Sequence, residues 1–142
     1  MSPDVTTFTV PGRLDCVSCI RRWLRSMLTG WEVKEDVVAD ILLAVTESCT
    51  NVIRHGYGTT TTGDLSIQII RTGEAIEITI QDTAPVFIPA QLPPARPQTL
   101  AEGQYGLFLI HTLMDEVSYE HLGPRGNCMR LVKYNALRPQ ES

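Results

Sequence analysis

The sequence predicts an α+β fold: a two-layer sandwich in which helices cover one face of a mostly antiparallel sheet. Three observations carry that expectation. Leu65, Ile67 and Ile69, and then Ile76, Ile78 and Ile80, alternate with polar neighbours at the period of two that marks half-buried strands, and Arg71-Thr72-Gly73-Glu74 between them reads as a hairpin turn. From about Glu35 to His55 the apolar residues recur at helical spacing. At roughly 100° per residue, Val38, Ile41, Leu42, Val45, Cys49, Val52 and Ile53 fall on one stripe, with Asp40, Glu47, Asn51 and Arg54 opposite. Near the end, Val117 to Leu122 and Cys128 to Tyr134 form a second strand pair around Gly123-Pro124-Arg125-Gly126.

The remaining elements fit around these. Thr6 to Val10 reads as a short edge strand that Pro11-Gly12 breaks. A helix follows from about Asp15 to Thr29, with Asp15 as N-cap, Leu14 as the staple residue before it and Gly30 as the C′ stop. Arg21, Arg22 and Arg25 lie on its polar side, either as a solvated face or as a docking surface for an acidic partner. Gly56-Tyr57-Gly58 and a threonine-rich run end the second helix. Between Thr83 and Gln104 lie Pro85, Pro89, Pro93, Pro94 and Pro97; long proline-rich stretches inside compact domains are usually functional lids or disordered segments. A short apolar helix starts near Gly106 and runs through Leu107-Phe108-Leu109-Ile110 to Met114, and the tail from Asn135 to Ser142 reads as frayed.

A chain of 142 residues is sized for one domain, here residues 1–142 with a core of about 6–134. At that size roughly 68–70% of the unfolded surface is hidden on folding. With 43% hydrophobic and 20% charged residues the composition is that of an ordinary globular protein. The net charge of −4 argues against direct nucleic-acid binding, because a protein that grips phosphates needs a basic excess. No apolar run approaches the ~18–20 residues of a membrane span. Met1-Ser2-Pro3-Asp4 has neither a basic n-region nor an apolar h-region, so the expected location is cytoplasmic, away from membranes. Cys16-Val17-Ser18-Cys19 has the C-x-x-C spacing of a redox site or half a zinc site. Zinc needs a second ligand pair, which is missing. A thioredoxin-like motif should follow a strand and open a helix, whereas here Leu14-Asp15 precede and Val17, Ile20, Leu24, Met27 and Leu28 continue at helical spacing. The thiols of Cys16, Cys19, Cys49 and Cys128 are therefore expected to be small buried hydrophobes in a reducing compartment.

Three separated features carry chemistry. In Glu47-Ser48-Cys49-Thr50-Asn51 a carboxylate and an amide stand at i and i+4 and project from one helix face. They are either a solvated face, or a proton-handling carboxylate beside an amide oxygen able to ligate Mg²⁺, which needs few protein ligands. Asp82 ends an isoleucine-rich strand, where a carboxylate is either a turn residue or an acceptor for an exocyclic amine such as that of adenine. Gly103-Gln104-Tyr105-Gly106 leads into an apolar helix, either as a hinge or as a place where backbone meets phosphate at a helix N-terminus.

In this order and spacing the features resemble the GHKL ATPase superfamily of gyrase, histidine kinases and mismatch-repair proteins. More narrowly they resemble the bacterial anti-sigma-factor serine kinases of the partner-switching type. The matching runs are Leu43-Ala44-Val45-Thr46-Glu47-Ser48-Cys49-Thr50-Asn51-Val52-Ile53-Arg54-His55-Gly56-Tyr57, then Tyr105-Gly106-Leu107-Phe108-Leu109-Ile110, Leu113-Met114-Asp115-Glu116-Val117 and Gly126-Asn127. The resemblance implies a Bergerat (histidine-kinase-like ATPase) fold, with a mixed, mostly antiparallel sheet and an ATP lid at about 83–105. It implies ATP and Mg²⁺ as cofactors, Glu47 as the catalytic carboxylate that orients a serine hydroxyl, Asn51 as the Mg²⁺ ligand and Asp82 as the adenine acceptor. Ala84, Gly103, Tyr105, Gly106 and Leu107 would complete the nucleotide site, with Arg54 and His55 near enough to assist. The implied function is that of an anti-sigma factor and serine-protein kinase that phosphorylates an anti-anti-sigma antagonist, sequesters a sigma factor and forms a homodimer. The chain departs from the family at Ala84 and Gln104, where glycine is usual, and at Val86-Phe87-Ile88-Pro89, where Pro-Phe-Asp-Pro is common. Two alternatives follow: a non-catalytic partner-switching module with a degenerate nucleotide site, and a detached kinase-like ATPase domain with a non-sigma target.

Overall fold

A computed structural model describes residues 4–57, 63–84 and 104–139. The elements are β1 (Asp4–Pro11), a 3₁₀ turn (Leu14–Cys16), α1 (Val17–Gly30), α2 (Glu35–Asn51), a π-helical turn (Val52–Tyr57), β2 (Asp64–Thr72), β3 (Ala75–Asp82), α3 (Gln104–Leu113), β4 (Glu116–His121), a second 3₁₀ turn (Gly123–Arg125) and β5 (Asn127–Lys133). The five strands stand in the order β1-β2-β3-β5-β4, and β1 is at the edge as expected.

Every pairing among the described strands is antiparallel, where a mixed, mostly antiparallel sheet was expected. The connections explain this. Two consecutive helices between β1 and β2 bring the chain back to the end it left, so β2 runs antiparallel to β1. The single helix α3 between β3 and β4 does make those strands parallel, but β5 is inserted between them and pairs with both. The hairpin between β2 and β3 turns on two residues, Gly73-Glu74, rather than four, and Gly73 takes the positive φ of 61° that the tight turn requires.

The register lines up inward rows across the sheet. Thr6, Ile69, Ile78, Leu131 and Val117 form one, and Phe8, Ile67, Ile80, Met129 and Tyr119 the next. Onto them pack Ile20, Leu24 and Leu28 of α1 and Val38, Ile41, Val45 and Cys49 of α2, all essentially inaccessible to solvent. Phe8 stacks on Trp23 with ring centroids 5.0 Å apart, fastening the edge strand to α1. The central helix α2 has the sheet beneath it, α1 on one flank and α3 on the other, so its buried surface extends beyond the predicted stripe to Val37, Ala44, Ser48 and Asn51.

Several local expectations are corrected. α1 starts at Val17 with Cys16 at its N-cap; Asp15 sits in the preceding 3₁₀ turn, makes no capping bond and pairs with Arg13 at 3.3 Å. Gly30 is the last helical residue, and the chain reverses at Glu32, whose φ is 60°. The stretch after Lys133 is tied down rather than frayed as far as Pro139, with 140–142 outside the described residues. There Lys34 N–H donates to Ala136 O at 2.9 Å, and Ala136 N–H to Glu74 O and Arg138 N–H to Glu32 O, both at 2.8 Å. Ala136 is fully buried, because this strand-like tail seals the α1–α2 loop against the β2–β3 turn. Of the cysteines only Cys49 is buried, with its thiol pushed up to about 12 by desolvation; Cys16, Cys19 and Cys128 are half-buried. Among the described residues no helix is long and apolar enough to cross a membrane.

Candidate active site

Glu47 and Asn51 occupy the last turns of α2, one helical turn apart on the face that meets α3. Leu107 and Ile110 on the inner side of α3, and Met114 just after it, are buried and hold it there. The approach is close enough that a side chain at 106 would displace the end of Glu47. A Cβ placed on Gly106 would lie 2.7 Å from Glu47 Oε2 and 3.5 and 3.7 Å from Asn51 Nδ2 and Oδ1. The start of α3 thus rests its backbone against a carboxylate and an amide, and a side chain at 106 would have to displace the Glu47 carboxylate. Asn51 is 9% exposed, so the polar face predicted for α2 is covered here rather than solvated.

Asp82 continues the inward sequence Ile76, Ile78, Ile80 and is the last inward position of β3. A third row across the sheet therefore runs Val10, Leu65, Asp82, Asn127, His121. Its polar members are linked. Asp82 Oδ1 accepts from Asn127 Nδ2 and from Ala84 N–H, both at 2.9 Å. Asn127 Oδ1 lies 2.8 Å from His121 Nδ1. With Asn127 Nδ2 turned to a carboxylate, its Oδ1 must face the histidine, so His121 carries a proton on Nδ1. Desolvation raises the Asp82 carboxyl above the ordinary carboxylate value, and the bonds from Asn127 and Ala84 oppose that shift. Gly126, at φ 98°, lets the backbone pass directly against the Asp82 carbonyl, where any Cβ would collide.

Tyr57, at the end of the π-helical turn, joins the two halves of the site. Its hydroxyl donates to Asp64 O at 2.7 Å and accepts from Thr83 N–H at 2.9 Å, immediately after Asp82. Gly12 and Gly63 press on the ring, and a Cβ at Gly12 would stand 2.5 Å from it.

Of the expected site residues, Glu47, Asn51 and Gly106 come together, and Asp82 and Ala84 share a hydrogen-bonded turn. Leu107 is buried in the α2–α3 packing, and Tyr105 lies in the first turn of α3. Gly103 and the proline-rich stretch from Pro85 lie outside the described residues. Arg54 and His55 are exposed on the π-helical turn. Nothing in the spacing of the sequence marks Asn127, His121 or Tyr57. The signal for the first was available in the register, since the inward period that places Ile78 and Ile80 also places Asp82 opposite Asn127.

The histidine kinase-like ATPase domain family matches residues 10–133. Serine-protein kinase RsbW of Bacillus subtilis is 31% identical over 139 residues, covering 92% of this chain and 86% of that protein. Serine-protein kinase RsbW of Halalkalibacterium halodurans is 34% identical over 123 residues, covering 81% and 75% respectively. A crystal structure of the RsbU and RsbW domains of a Mycobacterium tuberculosis protein shares the fold, with a TM-score of 0.71 at 21% identity. The match takes in 97% of this chain and 34% of that longer one.

Proposed function

The chain belongs to the histidine kinase-like ATPase family, in its RsbW serine-protein kinase branch, and from that premise we propose that it phosphorylates a serine of an anti-anti-sigma antagonist, holds a sigma factor in an alternative complex, and works as a cytoplasmic homodimer. The observation that carries the catalytic part is the convergence of Glu47 and Asn51 on the side-chain-free surface of Gly106.

The residues present fit ATP and Mg²⁺. Gly106 brings the bare backbone at the start of α3 against Glu47 and Asn51, and one amide oxygen suffices for a cation that keeps waters and phosphates as its other ligands. When bound, ATP with Mg²⁺ supplies the phosphoryl group and offsets its charge. The protein's task is then positioning. Glu47 holds the acceptor serine hydroxyl and takes its proton. Asn51 would hold the cation. Backbone N–H groups at the start of α3 would meet the phosphates. Asp82 would accept from the adenine amine, its charge supported by Asn127 and Ala84 against the cost of burial.

Protein docking is supported by α1. Arg21, Arg22 and Arg25 form no ion pair among the described residues, and with Ser18 and Leu42 they line a cleft of about 210 Å³. Three guanidinium groups without an ion pair among the described residues, on a chain of net charge −4, suit an acidic protein surface. A degenerate nucleotide site is the competing reading, motivated by Ala84. Yet Ala84 is not among the residues of positive φ, so its methyl group adds no backbone strain and is buried in the core. Incubation with γ-labelled ATP, Mg²⁺ and the antagonist decides. Label should appear on an antagonist serine, and Glu47→Ala should abolish transfer while nucleotide still binds. An antagonist that binds but takes no label sinks the kinase reading.

A further inference from the structure

We propose that Cys16 and Cys19 form a reversible dithiol–disulfide site at the start of α1. The C-x-x-C pair follows a strand and opens a helix after all: β1 ends at Pro11, Cys16 is the N-cap of α1, and Cys19 is the third residue inside it. Cys16 stands where the 3₁₀ turn runs into α1, and its side chain makes no capping bond that would hold the sulfur away from Cys19. Each sulfur also has a guanidinium beside it. Arg13 Nη2 donates to Cys16 Sγ at 3.9 Å and Arg22 Nη2 to Cys19 Sγ at 3.6 Å. Cys16 Sγ in turn donates to Asp15 Oδ1 at 3.7 Å, and that carboxylate is itself engaged by Arg13.

Position and access set these two thiols apart from the others. Both are half-buried, whereas Cys49 is sealed in the core and Cys128 faces the charges of Glu120, Asp82 and Glu77. Residues i and i+3 of a helix have Cα atoms about 5 Å apart by helix geometry, inside the window a disulfide requires. The oxidant is a small-molecule disulfide such as oxidised glutathione. The Cys16 thiolate attacks one of its sulfurs, forming a mixed disulfide and releasing one glutathione thiolate. The Cys19 thiolate then attacks Cys16 Sγ and releases the second. Two protein thiols lose two electrons and two protons, and one glutathione disulfide becomes two thiols. Ser18 and Arg22 belong both to this pair and to the arginine cleft, so its oxidation state changes the charge arrangement on that face.

The test uses the full chain, equilibrated in mixtures of reduced and oxidised glutathione, denatured in an alkylating agent and cut with trypsin after Arg13 and Arg21. The peptide Leu14–Arg21 then carries both sulfurs. It should become lighter by two hydrogens and lose both alkylation sites, regaining them with dithiothreitol, while Cys49 and Cys128 alkylate in full. Cys16→Ser should abolish the two-hydrogen loss. A peptide that stays fully alkylated at every ratio at which circular dichroism shows the folded chain, or that carries only glutathione adducts, overturns the site.

Discussion

Asp82 carries a stability cost that the proposed adenine contact would explain. Its carboxyl is 4% exposed and titrates above the ordinary value because burial penalises the charge. The native state therefore takes up this proton more readily than the unfolded chain. Its contribution to stability falls as pH rises from the unfolded value of about 3.9 through the folded one, and the full cost is present at neutral pH. Asp82→Asn removes the charge but keeps the shape. Its thermal midpoint should exceed that of the parent at pH 7, the gap should narrow as pH drops towards the unfolded value, and nucleotide binding should be lost. A midpoint below the parent's at pH 7 would show that the bonds from Asn127 and Ala84 outweigh desolvation. Gly106→Ala places a methyl group 2.7 Å from Glu47 Oε2, and the carboxylate, being the flexible end of a side chain, swings away. Folding should survive, while phosphotransfer falls by about 100-fold, the scale of an ångström-size misplacement. Stopped-flow or filter-binding rates beside a urea titration separate the two effects. Glu47 and Asn51 were legible in the sequence because i, i+4 spacing fixes a shared face whatever covers it. Asn127 carried the same kind of information, but a lone asparagine in an alternating strand acquires meaning only when the register puts Asp82 across from it.

Elements were legible where one period governs them and illegible where a tertiary partner sets the end. The isoleucine strands match residue for residue, and all six of Leu65, Ile67, Ile69, Ile76, Ile78 and Ile80 are buried. The end of the second helix was not legible as such. A period of 3.6 continues smoothly through Val52 to His55, yet the backbone widens into a π-helical turn after Asn51, and such turns cluster at functional sites. What holds it is Tyr57, gripped by Asp64 O and Thr83 N–H, a pairing that joins residues 26 apart and that no local pattern announces. Tyr57→Phe keeps the ring between Gly12 and Gly63 but leaves both backbone groups without that partner. The expected cost is about 1 kcal/mol, since Thr83 is exposed and water can partly replace the hydroxyl. Tyr57→Ala, which also empties a buried ring site, should cost about 3–5 kcal/mol. Urea midpoints measure both, and equal losses would mean that the hydroxyl rather than the ring holds the turn. The tail was misread for the same reason. Asn135 to Pro139 has no periodicity, and its order comes from backbone bonds to Glu32, Lys34 and Glu74.

At the scale of the whole molecule, the two halves of the candidate site sit on different layers of the fold, the described helices and the sheet. Glu47, Asn51 and Gly106 belong to the α2–α3 packing, whereas Asp82, Asn127 and His121 belong to the sheet. The layer architecture was predictable from element order, but the insertion of β5 between β3 and β4 was not, because strand order is a property of long-range pairing. A ligand that spans both halves must stabilise the native chain as a unit, which makes the thermal midpoint a direct reading of the proposed nucleotide site. Binding only to the folded state adds about 2.7 kcal/mol at a ligand concentration of one hundred dissociation constants. At roughly 3 °C per kcal/mol for a domain of this size, ATP with Mg²⁺ should raise the midpoint by about 8 °C. Omitting Mg²⁺ should reduce the shift if Asn51 shares the cation with phosphates. GTP should produce a smaller shift than ATP if Asp82 accepts from the adenine amine, because guanine presents a carbonyl oxygen at that position and two acceptors would meet without a proton between them. Equal shifts with ATP and GTP would remove Asp82 from base recognition while leaving the phosphate end intact. No shift with either nucleotide at millimolar concentration would leave the chain a binding module whose action rests on the arginine face of α1 alone.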